Sequence, residues 1–202
     1  MINAILSHLT DPTDKSSYVC GTSSSFFKHE YLVSSRILDL LDAKQSLGIK
    51  GNTESVKFLG DTKNNVDSFM ILCATGSLAN LEVLNLYNNK IGDDGMKEFA
   101  KAIARGSLAK LESLNFSHNQ IGDEGMKVFA SAIASGSLAN LTHLYLNMNM
   151  IGDAGMTAFA RAMGALGSLT ALYLGHNQIG DVGMIALADA IAALHPRRVR
   201  IF

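Results

Sequence analysis

Apolar residues in the last two-thirds of the chain recur in two alternating rhythms. In the segments LEVLNLYNNKI, LESLNFSHNQI, LTHLYLNMNMI and LTALYLGHNQI they alternate about a central pair: Leu84/Leu86, Leu114/Phe116, Leu144/Leu146 and Leu172/Leu174. A period of two over so few residues predicts a short strand with one buried face. In the segments that follow, GDDGMKEFAKAIARG and its three counterparts, the period lengthens. Met96, Phe99, Ala100 and Ile103 fall at i, i+3, i+4 and i+7. The sets Met126/Phe129/Ala130/Ile133, Met156/Phe159/Ala160/Met163 and Met184/Leu187/Ala188/Ile191 do the same. That spacing predicts an α-helix with one apolar stripe, buried in all four units. Asp93, Asp123, Asp153 and Asp181 stand where an N-cap acceptor of each helix would sit, and Gly106 and Gly136 where a left-handed residue would end it.

The strand–turn–helix unit repeats. GSLA begins at Gly76, Gly106 and Gly136, 30 residues apart, and a fourth unit opens with GSLT at Gly167. The first framework leucines are Leu81, Leu111, Leu141 and Leu169, so the last step shortens to 28. The pattern LxxLxLxxNxI resembles the leucine-rich-repeat family. The helix after GDxGM is similar to that of its long-repeat subclass, typified by ribonuclease inhibitor, Ran GTPase-activating protein and NOD-like receptors. The resemblance runs over residues 76–195, four units in register. It implies an α/β leucine-rich-repeat solenoid, a short curved horseshoe with parallel strands on the concave face and helices on the convex face. It also implies that Asn89, Asn119, Asn149 and Asn177 form a buried ladder bonded to backbone groups of neighbouring turns. A tight turn leaves backbone donors that a short amide can satisfy.

A single repeat cannot bury its own apolar residues; stacking does so. Parallel strands stack about 4.8 Å apart, whereas packed helices need about 8–10 Å. The stack therefore bends with its strands inside. Strand residues pointing away from the core, in the sets Val83/Asn85/Tyr87, Ser113/Asn115/Ser117, His143/Tyr145/Asn147 and Ala171/Tyr173/Gly175, are expected to line that inner surface. Nothing in the framework requires tyrosine at 87, 145 or 173, and a ring with a polar tip suits a protein interface. Asn85, Tyr87, Asn115, His143, Tyr145, Asn147 and Tyr173 are accordingly the candidate partner contacts.

Both ends of the array depart from the repeat. Residues 51–75 are expected to be a capping half-repeat whose strand motif has decayed while Val66, Phe69 and Cys73 keep the helix stripe. Pro196, Val199 and Ile201 keep the LxxLxL spacing, which predicts a terminal edge strand over 196–202; an edge left open permits self-association. Residues 1–50 form a separate flanking region, serine-rich around SSYVCGTSSSFF, with helical spacing near 29–47.

Composition narrows the function without choosing it. The formal net charge of -1 offers no field for nucleic acid or an anionic membrane. Two cysteines, far apart, do not make a disulfide framework, and the start is too short and interrupted for a signal peptide, so the expected location is cytoplasmic. No phosphate loop or dinucleotide fingerprint is present, and His29-Glu30 lacks the second histidine of a zinc protease. His118 and His176 share a repeat position but lie two strands apart, about 10 Å, with Met148 between them. Neither cofactor, metal nor catalytic set is expected. The expected function is a scaffold or recognition module for a protein partner. The alternatives are a GTPase-activating protein, by family analogy, and a fragment or subunit of a larger sensor or adaptor.

Overall fold

A computed structural model of the chain describes residues 80–194 and 199–202, with the backbone of Ser55–Lys57. The expectations for residues 1–50 and for the stripe Val66/Phe69/Cys73 lie outside these. The described residues all fall in one compact unit, Leu38–Phe202. Strand and helix alternate: β1 (Ser55–Lys57), β2 (Val83–Asn85), α1 (Gly92–Ala104), β3 (Ser113–Asn115), α2 (Asp123–Ile133), β4 (His143–Tyr145), α3 (Asp153–Ala162), β5 (Ala171–Tyr173), α4 (Asp181–Ala193) and β6 (Arg200–Ile201). A 3-10 turn, Met163–Ala165, continues α3 where the repeat is shortened. All six strands form one parallel sheet in chain order. Each crossover from β2 onward carries one helix, and the strands and helices make an α/β solenoid.

The core lies between the layers. Leu84, Leu114, Leu144 and Leu172 pair in register along the sheet and are fully buried. Phe99, Phe116, Phe129 and Phe159 run through the core as a chain of ring contacts, with centroids 4.7, 5.8 and 6.5 Å apart in succession. At the helix ends Gly106 and Gly136 take φ of 73° and 80°, and each donates its N–H three residues back, to Ile103 and Ile133. Among the described residues no helix is long and apolar enough to cross a membrane.

Polar atoms couple the repeats through two sets of bonds. The Asn119 side-chain oxygen accepts from the Asn89 and Ile91 N–H groups of the preceding repeat at 2.8 and 3.3 Å, and its amide donates to Leu86 O and Phe116 O. Asn149 accepts from Asn119 and Ile121 N–H, both at 3.0 Å, and donates to Phe116 O and Leu146 O. Asn177 accepts from Ile151 N–H and donates to Leu146 O and Leu174 O.

The aspartates act differently from the reading of the sequence. None caps its own helix: α2, α3 and α4 have Gly122, Gly152 and Gly180 at the N-cap, without a side-chain cap bond. Each carboxylate instead reaches the next repeat. Asp93 Oδ1 accepts from Gly122 and Gly125 N–H at 2.7 and 3.0 Å. Asp123 does the same with Gly152 and Gly155 at 2.8 Å each, and Asp153 with Gly180 and Gly183 at 2.7 and 2.8 Å. These are orphan donors at a helix N-terminus, so each repeat caps the helix of its successor. The closeness explains the second glycine of GDxG: a Cβ on Gly155 would lie 2.6 Å from Asp123 Oδ1 and 3.0 Å from its Cα.

Three further departures concern the ends. The segment Ser55–Lys57 pairs with Val83–Asn85, so a strand forms where the motif had decayed. In β6, Ile201 pairs with Leu172 rather than taking the place of Leu174, so the last strand sits two residues out of the expected register. The helical stripe is only partly buried in the last repeat, where Leu187 is 1% exposed. Met96, Met126 and Met156 are 0% exposed, whereas Met184 is 43% exposed and Ala188 is exposed as well, because no described helix follows α4 to cover them.

Two paired substitutions test this account. Asp123→Ala leaves two partly buried N–H donors without an acceptor and is expected to destabilise by about 2–4 kcal/mol. Asp181→Ala, at the same repeat position but with no such N–H donors among the described residues, should cost at most about 1 kcal/mol, through the helix dipole. Gly155→Ala is expected to cost about 1–3 kcal/mol through crowding against Asp123. Gly164→Ala, where a Cβ meets nothing within 4 Å, should be neutral or slightly stabilising. Urea-unfolding midpoints of the four variants against wild type measure both contrasts.

Candidate binding face

The parallel register sorts the outward strand residues into rows. Val83, Ser113, His143, Ala171 and Arg200 lie side by side, as do Asn85, Asn115, Tyr145 and Tyr173. The second row changes character along its length. At its N-terminal end Asn85 and Asn115 turn their side-chain oxygens back onto the following loop, accepting from Tyr87 N–H at 3.0 Å and Ser117 N–H at 2.8 Å. At the C-terminal end the row is aromatic. Tyr145 and Tyr173 stack at 4.4 Å and 10°, and Tyr173 stacks on Phe202 at 4.6 Å and 14°.

Strand spacing causes the stack. Neighbouring parallel strands lie close to 4.8 Å apart, so planar side chains in one row meet face to face at almost the same distance. The middle ring, Tyr173, therefore offers solvent its edge and hydroxyl rather than its face. Burial pushes the Tyr145 phenol above its ordinary range, and the neighbouring Tyr173 adds to the shift through charge and a side-chain hydrogen bond. The neutral phenol is favoured over the phenolate, so it remains a donor well above neutral pH.

The remaining candidates surround the stack. The His143 ring lies 6.4 Å from Tyr145, and its Nδ1 is 2.8 Å from Thr142 Oγ1. Asn147 sits beside the stack in the next loop, with its side-chain oxygen 3.4 Å from where a Gly175 Cβ would be. Tyr87 stands apart from the stack, 45% exposed, its ring tilted against His118 at 6.0 Å. Met148 and Met150, in the loop after β4, are also exposed. Two expected surface positions are not on the surface: Ala171 and Ser117 are buried. A small side chain in the row disappears between larger neighbours.

Reading the sequence missed Phe202. It lies 29 residues after Tyr173, which itself lies 28 after Tyr145, so the repeat period carried the signal. Aligning Ile201 with Leu174 moved Phe202 out of the frame. Among the described residues no group of three or more His, Cys, Asp or Glu side chains gathers as metal ligands would.

Residues 77–100, 107–130, 137–160 and 168–188 match the family described as Leucine Rich repeat. No curated protein sequence matches the chain. Among solved structures it is similar to the leiomodin-1 actin-binding site 2, with a TM-score of 0.55 and 20% identity over 67% of this chain and 76% of that one. A second similar structure is an internalin (inlF) from Listeria monocytogenes, with a TM-score of 0.35 and 26% identity over 62% of this chain and 36% of that one. Four repeats matched in succession, a parallel sheet in chain order and one helix per crossover make residues 77–188 a leucine-rich-repeat array.

Proposed function

We propose that the array is a protein-interaction module that holds a protein partner on its strand face, with Tyr145, Tyr173 and Phe202 as the anchor. The observation that carries this reading is the three-ring stack on outward strand positions that the repeat framework leaves free to vary. Rings fixed by mutual stacking lose little side-chain freedom when a partner arrives, and aromatic residues dominate binding energy at protein interfaces. His143 and Asn147 supply contacts beside the anchor, and further along the face Tyr87 offers a ring and Asn85 and Asn115 their amide N–H groups to the partner. Repeats of 28 to 30 residues, each with a helix of ten or more, fit the ribonuclease-inhibitor-like long-repeat subclass. The leiomodin-1 actin-binding site 2 has the same fold and binds a protein, actin.

The test compares affinity-purified partners by quantitative mass spectrometry. Tyr145→Ala with Tyr173→Ala removes two of the three rings of the stack and is expected to weaken capture of a specific partner by roughly 100-fold or more. Lys97→Ala with Lys127→Ala, on exposed helix positions, should leave the same partner bound. Thermal transitions of both variants should stay within a few degrees of wild type. A partner retained by the tyrosine variant, or lost from the lysine variant, removes the strand face from the function.

A further inference from the structure

The charges on the strand face are sorted by strand. In the row that leads into β2 to β5, backbone bonds of 2.8 to 2.9 Å join Glu82, Glu112, Thr142 and Thr170 side by side. The hydroxyls of Thr142 and Thr170 are spent on carbonyls of the repeat before, at Glu112 O and Thr142 O. Glu82 and Glu112 are exposed, and among the described residues no basic side chain forms an ion pair with either. Lys110, two residues before Glu112, donates to Asn80 instead, and Lys57 of β1 falls in the row of Asn85 rather than in theirs.

The opposite sign stands across the sheet. Arg200 of β6 is exposed in the row of His143 and Ala171. Residues 142–148, 170–176 and 199–202, which carry β4, β5 and β6, include no Asp or Glu. Tyr145 and Tyr173 lie on the two strands in between. Strand by strand, the face therefore runs from carboxylate through ring to guanidinium.

The groups that face a partner between these charges are donors. Asn85 and Asn115 use their side-chain oxygens on the following loop, which leaves their amide hydrogens for a partner, and the tyrosine hydroxyls continue the same row. Donors on successive strands suit a run of carbonyl oxygens, which an extended peptide backbone supplies. From β3, where Glu112 stands, to β6 is three strand widths, about 14 Å, the length of about four residues of extended chain.

Resting on the strand face as the binding surface, we propose that its occupant is an extended peptide segment of a partner protein that crosses the strands. A basic side chain of the segment lies at Glu82 and Glu112, and an acidic one about four residues away lies at Arg200. An apolar side chain between the two sits on the tyrosines, and backbone carbonyls accept from the asparagine amides. Exposed ion pairs add little affinity, but like charges repel, so the two ends of the face select the segment and fix the direction in which it lies.

Phage-displayed linear random peptides, selected in parallel on the full chain and its variants, test the proposal. Wild type is expected to enrich peptides with Lys or Arg and Asp or Glu about four residues apart. Glu82→Lys with Glu112→Lys should exchange the basic residue for an acidic one, and Arg200→Glu the acidic residue for a basic one. All three positions are exposed, so both variants should keep the fold, as circular dichroism checks. By fluorescence anisotropy, a synthetic peptide selected on wild type should bind the double-lysine variant roughly 10-fold more weakly, and reversing the charge of its basic residue should restore binding. Peptides that ignore both charge changes, yet are lost with Tyr145→Ala and Tyr173→Ala, overturn this occupant and leave the strand face as the binding surface. Peptides kept by the tyrosine variant overturn both. A wild type that enriches no peptide above background gives the face to a folded surface and overturns the extended occupant alone.

Discussion

A repeat in this array cannot satisfy its own backbone; only its neighbours can. The loop between each strand and helix turns too tightly to close its own hydrogen bonds, and its inward N–H groups, such as those of Asn89, Asn119 and Ile121, are buried away from water. The donors at its start are taken by the asparagine of the next repeat, those at the helix N-terminus by the aspartate of the previous one. An unmet buried donor costs about 1–3 kcal/mol, so stacking is enforced by polar groups as much as by the leucine core. Apolar burial draws the repeats together without direction; the side-chain bonds decide how far each is rotated and how far it is shifted against the next.

That constraint also shapes the binding face. Because the register is held the same at every interface, residues 28 to 30 apart come to lie beside one another about a strand's width apart. Tyr145, Tyr173 and Phe202 become a stack for that reason alone, and no local feature of any single strand foretells it. The N-terminal half of the same row is taken up with the loops, through Asn85 and Asn115. The contact chemistry is thus concentrated over β4, β5 and β6.

Much of the fold was legible in the sequence, since two periodicities and a repeat length determine strand, helix and stacking order. Framework leucines and asparagines are periodic by necessity, so they stand out. What was not legible depends on neighbours. Asp93 looks like a cap for its own helix because one-dimensional spacing cannot distinguish the helix that follows from the helix stacked beside it. Met184 carries the same stripe as Met96, yet burial is a property of what comes next, and no described helix follows α4. Phe202 was missed because a two-residue shift of a short terminal strand leaves the apolar spacing plausible while changing which residue continues the row. Ala171 in its strand and Ser117 in the loop after β3 fell in the outward rows but are too small to emerge between their neighbours.

The two kinds of side-chain bond point in opposite directions along the array, and this bears on how such a chain can change length. Asparagine reaches back from a later repeat; aspartate reaches forward from an earlier one. A whole unit duplicated in place therefore arrives with the acceptor its predecessor needs and the acceptor its successor needs, and both new junctions are complete at once. Gains or losses of a few residues can be absorbed only where neither kind of acceptor lies. The two residues missing from the fourth unit fall between the end of its preceding helix and Leu169, which is such a place.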